Sequence, residues 1–314
     1  MKRLAALLAF TSVLAACGST VEATAPERLA RETPLAASLI EAPRAYELPG
    51  GIHAADGRTY FAVEDGNLLR FSTQTGRVTR TYPLRGDWAL SGVSANGDWV
   101  ALQRSETRIL VIDAKRGQTR ELTLRGNLRV ETVSTAGDFL FLQQNFVDGS
   151  YAVRGYDLAA GKLLPGSLGR KGETVQMQGL AGQVVASPDG RWLLTLYVNT
   201  QTNTAFVHAL NLIERVAICI NVPPCTNCAP EALKRWGLAL APDGRTLFAA
   251  NPALGRVATI DLPTYRVIAE SSFRPSSGGP TRAEVSKDGS KLVFTNGRAT
   301  WSFDPNASIV EPVL

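Results

Sequence analysis

The chain has 314 residues, of which 45% are apolar and 19% are charged, a composition that supports a large hydrophobic core and excludes a mostly disordered protein. Its formal net charge is +5, and removal of the two basic residues at positions 2 and 3 with the leader described below leaves 31 − 28 = +3. A charge of this size is too small to indicate nucleic-acid binding.

The first sixteen residues have the pattern of an export signal. Two basic residues precede a short apolar run, as in the n-region and h-region of a secretory signal peptide. The run ends in LAACG at residues 14–18, which resembles the lipobox of bacterial lipoproteins. The resemblance implies cleavage before Cys17, diacylation of its thiol with chains such as palmitate, and acylation of the new amino group. An ordinary signal peptide with a chance cysteine is the alternative.

The leader and the stretch after it predict where the protein resides. Residues 17–36 are rich in Ser, Thr, Ala and Glu and contain two prolines, so we expect a flexible tether between the lipid and a folded domain at 37–314. A short helix around residues 28–32 is the alternative. We therefore expect a lipid-anchored protein of the cell envelope, on the extracytoplasmic side of a bacterial membrane. The choice between inner and outer membrane stays open.

A turn signal recurs through the folded domain, and an apolar strand follows it each time. In the clearest copy, SPDG at residues 187–190 precedes an apolar strand at 192–198. Proline pre-sets φ, aspartate bonds to its own backbone and glycine accepts a positive φ, so the signal favours a tight turn. The turn glycines are 40, 40, 53, 54 and 45 residues apart, which is typical of an array of similar units. They are Gly57, Gly97, Gly137, Gly190, Gly244 and Gly289.

Each unit has the content of one propeller blade. In the second unit, strands are predicted near 90–94, 99–102, 108–113 and 119–124. Four antiparallel strands in every 40 to 54 residues predict an all-β protein, a β-propeller with six blades. Seven blades remain the alternative if one long interval hides a degenerate unit. The only helical candidate lies at 230–235.

Closure of such a ring normally pairs strands from the two ends of the chain, because an unpaired strand edge invites aggregation. The strand-like stretch at 38–48 is predicted to pair near the last unit, around residues 300–303 and 309–310.

Two units carry a family resemblance. SPDGR at 187–191 with LYVN at 196–199, and APDGR at 241–245 with Asp-Leu at 261–262, resemble the YVTN-type and other WD40-like repeats of bacterial propellers. The resemblance covers about residues 50–310 and is loose in the other units, one of which lacks the aspartate before its glycine. It implies a rigid disc with a loop-lined binding face. Relatives also include lactonases and quinone-dependent dehydrogenases.

Three cysteines form the one local cluster of reactive side chains. In an exported protein they indicate one disulfide and one leftover thiol, and we expect Cys219 to pair with Cys225 or Cys228 and staple the loop after the fourth unit. A redox pair at Cys225 and Cys228 is an alternative. A zinc site is another, but both histidines, His53 and His208, are distant in sequence and are expected to be structural.

Tryptophans and arginines near the predicted rim of the propeller are the remaining candidates for ligand binding. Trp99 and Trp192 directly follow turns in two units and are expected to pack between blades. Trp88 and Trp236 precede their units and are candidates for an exposed ligand-binding rim. Three arginines lie just before incoming strands, where they could form a basic mouth or simply be solvated: Arg85, Arg125 and Arg274.

The sequence therefore predicts a non-catalytic module that binds a ligand or a protein. No nucleophile elbow, phosphate-cradling glycine loop or metal-ligand spacing is present, so no catalytic residue, cofactor or metal is assigned. The alternatives are a hydrolase or lactonase that uses the central channel and a thiol redox protein. We expect a monomer that contacts the membrane through Cys17, binds an envelope protein or a small ligand, and does not bind nucleic acid.

Overall fold

The computed structural model describes residues 47–169, 177–225 and 228–313. These residues form six antiparallel sheets, and in each sheet four consecutive strands pair in sequence order. The third sheet gains a fifth, two-residue strand. The protein is a six-bladed β-propeller, which confirms the predicted fold class, and the described ranges contain no seventh sheet.

The first three blades span the amino-terminal half of the described chain. Blade 1 comprises β1 (Ile52–His53), β2 (Thr59–Glu64), β3 (Asn67–Ser72) and β4 (Val78–Pro83). Blade 2 comprises β5 (Ala89–Val93), β6 (Trp99–Ser105), β7 (Arg108–Asp113) and β8 (Gln118–Thr123). Blade 3 comprises β9 (Leu128–Val133), β10 (Phe139–Asn145), β11 (Ser150–Asp157), β12 (Lys162–Leu163) and β13 (Met177–Gln178).

The other three blades follow in the same order. Blade 4 comprises β14 (Leu180–Ala186), β15 (Trp192–Asn199), β16 (Thr204–Asn211) and β17 (Val216–Asn221). Blade 5 comprises β18 (Gly237–Leu240), β19 (Thr246–Asn251), β20 (Arg256–Asp261) and β21 (Arg266–Ser272). Blade 6 comprises β22 (Arg282–Val285), β23 (Leu292–Thr295), β24 (Thr300–Asp304) and β25 (Ile309–Val313).

In the described part of the two long intervals between turn glycines there is no extra blade. Between blades 4 and 5 the chain forms the short helix α1 (Pro230–Leu233), which lies within the predicted range of 230–235 but ends earlier. Its Leu233 is buried in the core between these blades. Within the described ranges no helix has the length and apolarity needed to span a bilayer. The predicted signal peptide, the tether and most of the closing strand lie outside the described residues.

The recurrent turn is held by its serine and aspartate side chains. The Ser187 hydroxyl donates to Asp189 Oδ1 at 2.6 Å and accepts the N–H of Trp192 at 2.8 Å. Gly190 has the positive φ of 73° that the turn requires. The serine thereby fixes the first residue of the next strand, which explains why the motif recurs. The same serine-to-backbone bond joins Ser94 with Trp99, Ser134 with Phe139 and Ser286 with Lys291.

The hydrophobic core lies between neighbouring blades. Trp192 is buried and meets Tyr265 of blade 5 edge to face, with ring centroids 5.8 Å apart. Trp99 of blade 2 lies so close to Gly137 of blade 3 that a Cβ there would overlap its ring. Both tryptophans therefore pack between blades, as predicted. Each blade is stabilised by burying both of its faces.

One turn glycine should tolerate no side chain. Gly255 has a φ of 62°, and a Cβ on it would overlap the main-chain carbonyl oxygen of Phe273. We expect Gly255→Ala to lower the free energy of unfolding by about 3 kcal/mol, because main-chain displacement adds to the left-handed strain. Gly66 has a similar φ of 72° but open space around its Cβ position, so Gly66→Ala should cost only about 1 kcal/mol. Equal losses in urea unfolding would contradict the proposed overlap.

Candidate ligand-binding site

A cavity lies on the propeller axis, among the first strands of the blades. The first strands of successive blades contact one another, β1 with β5, β5 with β9, β14 with β18 and β18 with β22, so they surround the axis. A cavity of about 590 Å³ opens there. Its walls come mainly from the first strands of blades 1 to 4, with side chains from β10 and β15. Its volume is within the range of about 300–1,000 Å³ that is typical of small-ligand sites.

One side of the cavity is apolar. Blade 4 contributes Ala181, Val184 and Ala186 from β14 and Leu193 from β15. Val184 is 54% exposed, although its residue type is normally buried. Val93 of β5 adds to this lining. This surface can accept an apolar group from a ligand.

A polar wall comes mostly from blade 3, which is next to blade 4. Arg129 and Glu131 of β9 both line the cavity, and Glu131 is the extra residue of a β-bulge, because the pairing of β9 with β10 steps from Val130 to Thr132. Gln143 of β10 and Thr195 of β15 lie nearby in the lining. The Tyr197 hydroxyl donates to Gln143 Oε1 at 3.5 Å. The cavity therefore presents an acid, a base and neutral hydrogen-bonding groups on one wall.

A group of buried polar side chains without hydrogen-bond partners adjoins this wall. Glu131 Oε2 lies 3.9 Å from His208 Nε2, with the two side chains 10% and 1% exposed. That distance is too long for a hydrogen bond. Neither atom, nor His208 Nδ1, nor the Tyr151 hydroxyl has a hydrogen-bond partner among the described residues. Buried polar groups normally have partners, so this group is an unusual feature of the fold.

Burial suppresses ionisation of the phenols and the thiol in this region. Burial raises the pKa of the Tyr197 hydroxyl to about 12, the Glu131 carboxylate adds to the rise, and Arg129 opposes it. Burial also raises the pKa of Tyr151, with Tyr197 as the next cause, and raises the pKa of the Cys219 thiol to about 12. At neutral pH these groups are protonated, so they can form hydrogen bonds but are poor nucleophiles.

The cysteine pairing differs from the sequence prediction. Cys225 and Cys228 form a disulfide, with Cα atoms 5.7 Å apart, whereas Cys219 has a free thiol. Cys219 packs on the face of blade 4 that meets blade 3, and the other two pack on the face that meets blade 5. The predicted bond from Cys219 to Cys225 or Cys228 is therefore wrong, because the sheet separates the thiols.

The rim residues lie apart from the cavity. Trp88 and Trp236 are 7% and 2% exposed, so the expectation of exposed indole faces is corrected: both rings fill hydrophobic clusters between blades. Trp88 Nε1 donates to the carbonyl oxygen of Arg85 at 3.1 Å. The three predicted arginines are exposed, and none lines the axial cavity: Arg85, Arg125 and Arg274.

The two histidines occupy different environments. His53 lines the cavity mouth, is partly exposed and lies 2.9 Å from Glu47 Oε1. His208 is buried within β16, in agreement with its expected structural position. Within the described ranges no three His, Cys, Asp or Glu side chains are grouped so that they could hold a metal ion.

Sequence reasoning missed the polar wall of the cavity. The sequence pattern that could have indicated this wall is the alternation of Arg129 and Glu131 with apolar residues in β9, the first strand of blade 3. Gln143 and Tyr197 carry no local signal, because each lies in an otherwise apolar strand. Only the placement of β10 and β15 around the axis brings them to the cavity.

Comparisons with known proteins found similarity among solved structures. No protein-family model and no curated protein matches the chain. A solved structure of Kuenenia stuttgartiensis hydrazine synthase is similar over 87% of this chain and 98% of its own, with a TM-score of 0.39 and 15% identity.

Proposed function

We propose that the protein is a lipid-anchored, non-catalytic binding propeller on the extracytoplasmic side of a bacterial membrane, and that its axial cavity takes a small ligand. The observation that carries the proposal is the cavity of about 590 Å³, with an apolar wall on blade 4 and a polar wall on blade 3. A mostly apolar lining with a few convergent polar groups is the usual composition of a ligand site.

The anchor rests on the leader and the cysteine that follows it. Two or more acyl chains at about 0.8 kcal/mol per buried CH₂ hold a protein stably on a bilayer, whereas one chain gives only marginal binding. Acylation at Cys17 would place the propeller near the membrane surface, with residues 17–36 as the connection.

Filling the cavity tests its role in binding. Ala181 is exposed and lines the cavity, so Ala181→Trp should occupy the site without disturbing the core. The matched control is Ala269→Trp, at an exposed position on β21, the last strand of blade 5. The probe is the low-molecular-mass fraction of a bacterial envelope extract, offered to the full chain in detergent and read by native mass spectrometry.

We expect the unaltered chain and the Ala269→Trp variant to retain a small species and the Ala181→Trp variant to lose it. Retention by Ala181→Trp would contradict the cavity as the site. Failure of the unaltered chain to hold any small species would overturn the proposed function.

A further inference from the structure

The Glu131 carboxylate lacks a donor. Its side chain is nine-tenths buried, it lines the cavity, and its Oε2 has no hydrogen-bond partner among the described residues. His208 is the nearest basic group, at 3.9 Å. The Glu131 Oε2 atom is closed to solvent, so a ligand in the cavity would meet the exposed tenth of the Glu131 side chain. A ligand ammonium group there would supply donors and the opposite charge. Glu131 therefore fits the amino end of a ligand.

Arg129 provides the complementary charge. Its side chain is exposed, lines the same cavity and makes no hydrogen bond or ion pair with any other described residue. A guanidinium group binds carboxylates in a bidentate geometry. Arg129 and Glu131 lie close together on β9 and line the same cavity, so one small ligand with an ammonium and a carboxylate group can contact both. An extended dipeptide, about 7 Å long, carries two such groups.

The rest of the cavity lining determines which chemical groups the middle of the ligand can carry. Val184, Leu193 and Ala181 of the neighbouring blade 4 provide apolar lining, while Gln143 and Thr195 supply neutral polar groups that suit a peptide bond. A cavity of about 590 Å³ is large for a single amino acid and is suited to a ligand with two side chains.

We infer that the ligand is a zwitterionic dipeptide with apolar side chains, with its ammonium group at Glu131 and its carboxylate at Arg129. This inference rests on the proposed function, because it assumes that the axial cavity is a ligand site. It names the ligand class and assigns charge recognition to two residues of β9.

Calorimetry with chemically matched ligands tests the inference on the unaltered full chain in detergent at pH 7.5. The probe is L-leucyl-L-leucine, and three analogues each remove one feature: the N-acetyl dipeptide the ammonium, the dipeptide amide the carboxylate, and glycylglycine the apolar side chains. We expect each analogue to bind at least about tenfold more weakly than L-leucyl-L-leucine, because each leaves one charged side chain without its partner or the apolar wall without a contact. Equal affinity for the N-acetyl dipeptide and its parent would overturn the inference.

Variants of Glu131 and Arg129 test which residue binds each end of the dipeptide. Glu131→Gln should weaken binding of L-leucyl-L-leucine at least about tenfold, and this variant should bind the dipeptide and its N-acetyl form equally. Arg129→Gln should also weaken binding of the dipeptide at least about tenfold, and this variant should bind the dipeptide and its amide equally. The matched controls are Glu270→Gln on β21 and Arg125→Gln, both exposed and outside the cavity, which should bind unchanged. Thermal unfolding shows which variants are folded. If a variant is not folded, the analogue series on the unaltered chain still tests the inference.

The outcomes separate this inference from the proposed function. Absence of dipeptide binding at millimolar concentration, together with an extract species that Ala181→Trp excludes, would overturn the dipeptide and leave the cavity as a ligand site. If the unaltered chain binds neither the dipeptide nor any species from the extract, both the dipeptide inference and the proposed function are overturned.

Discussion

The Cys17→Ser variant should lose its lipid anchor and all of its acyl labelling. Its oxygen cannot accept the thioether-linked diacylglyceryl group that the lipobox resemblance implies, so diacylation, cleavage before residue 17 and acylation of the new amino group are all lost. The measurement is the distribution of the full-length protein between membrane and soluble fractions, together with incorporation of labelled palmitate. We expect labelling of the unaltered chain and none of the variant.

A second cysteine provides the control for this experiment. Cys219→Ser removes the free thiol of β17, outside the lipobox, and should leave membrane association and labelling unchanged. Release of the Cys219→Ser variant, or retention of labelled Cys17→Ser protein, would count against the proposed anchor.

The Phe141→Ala variant should lose about 3–5 kcal/mol of unfolding free energy, the range measured for fully buried aromatic residues. Phe141 lies on β10 and is fully buried in the cluster between blades 3 and 4. Its ring is 4.9 Å from that of Phe139, centroid to centroid. Neighbouring blades are held by such clusters, so removal of the ring leaves a cavity that the rigid sheets cannot close.

Urea unfolding followed by tryptophan fluorescence measures this loss. The control is Val147→Ala, at a fully exposed residue in the turn between β10 and β11, where we expect a change within about 0.5 kcal/mol. Similar losses for both variants would show that the interface between blades 3 and 4 does not contribute as its burial indicates.

The fold was more predictable than the site because the information for a blade is local. Apart from the two-residue β13, which pairs with β11, each strand pairs with the strand that precedes or follows it in sequence, so the turn at 187–190 and its five relatives mark all six blades. The candidate site depends on non-local placement. Glu131 and His208, on blades 3 and 4, are 77 residues apart in sequence but 3.9 Å apart in space.

The sequence by itself determined the turns and the content of four antiparallel strands in each unit, because these follow from residues close together in the chain. It favoured six blades and left seven open, and the structure has six. Only the tertiary structure decided that Trp88 and Trp236 are buried and that Cys225 bonds to Cys228. It also decided which polar side chains reach the axis. These outcomes depend on which face of a blade meets its neighbour, a contact between sheets that no local pattern encodes.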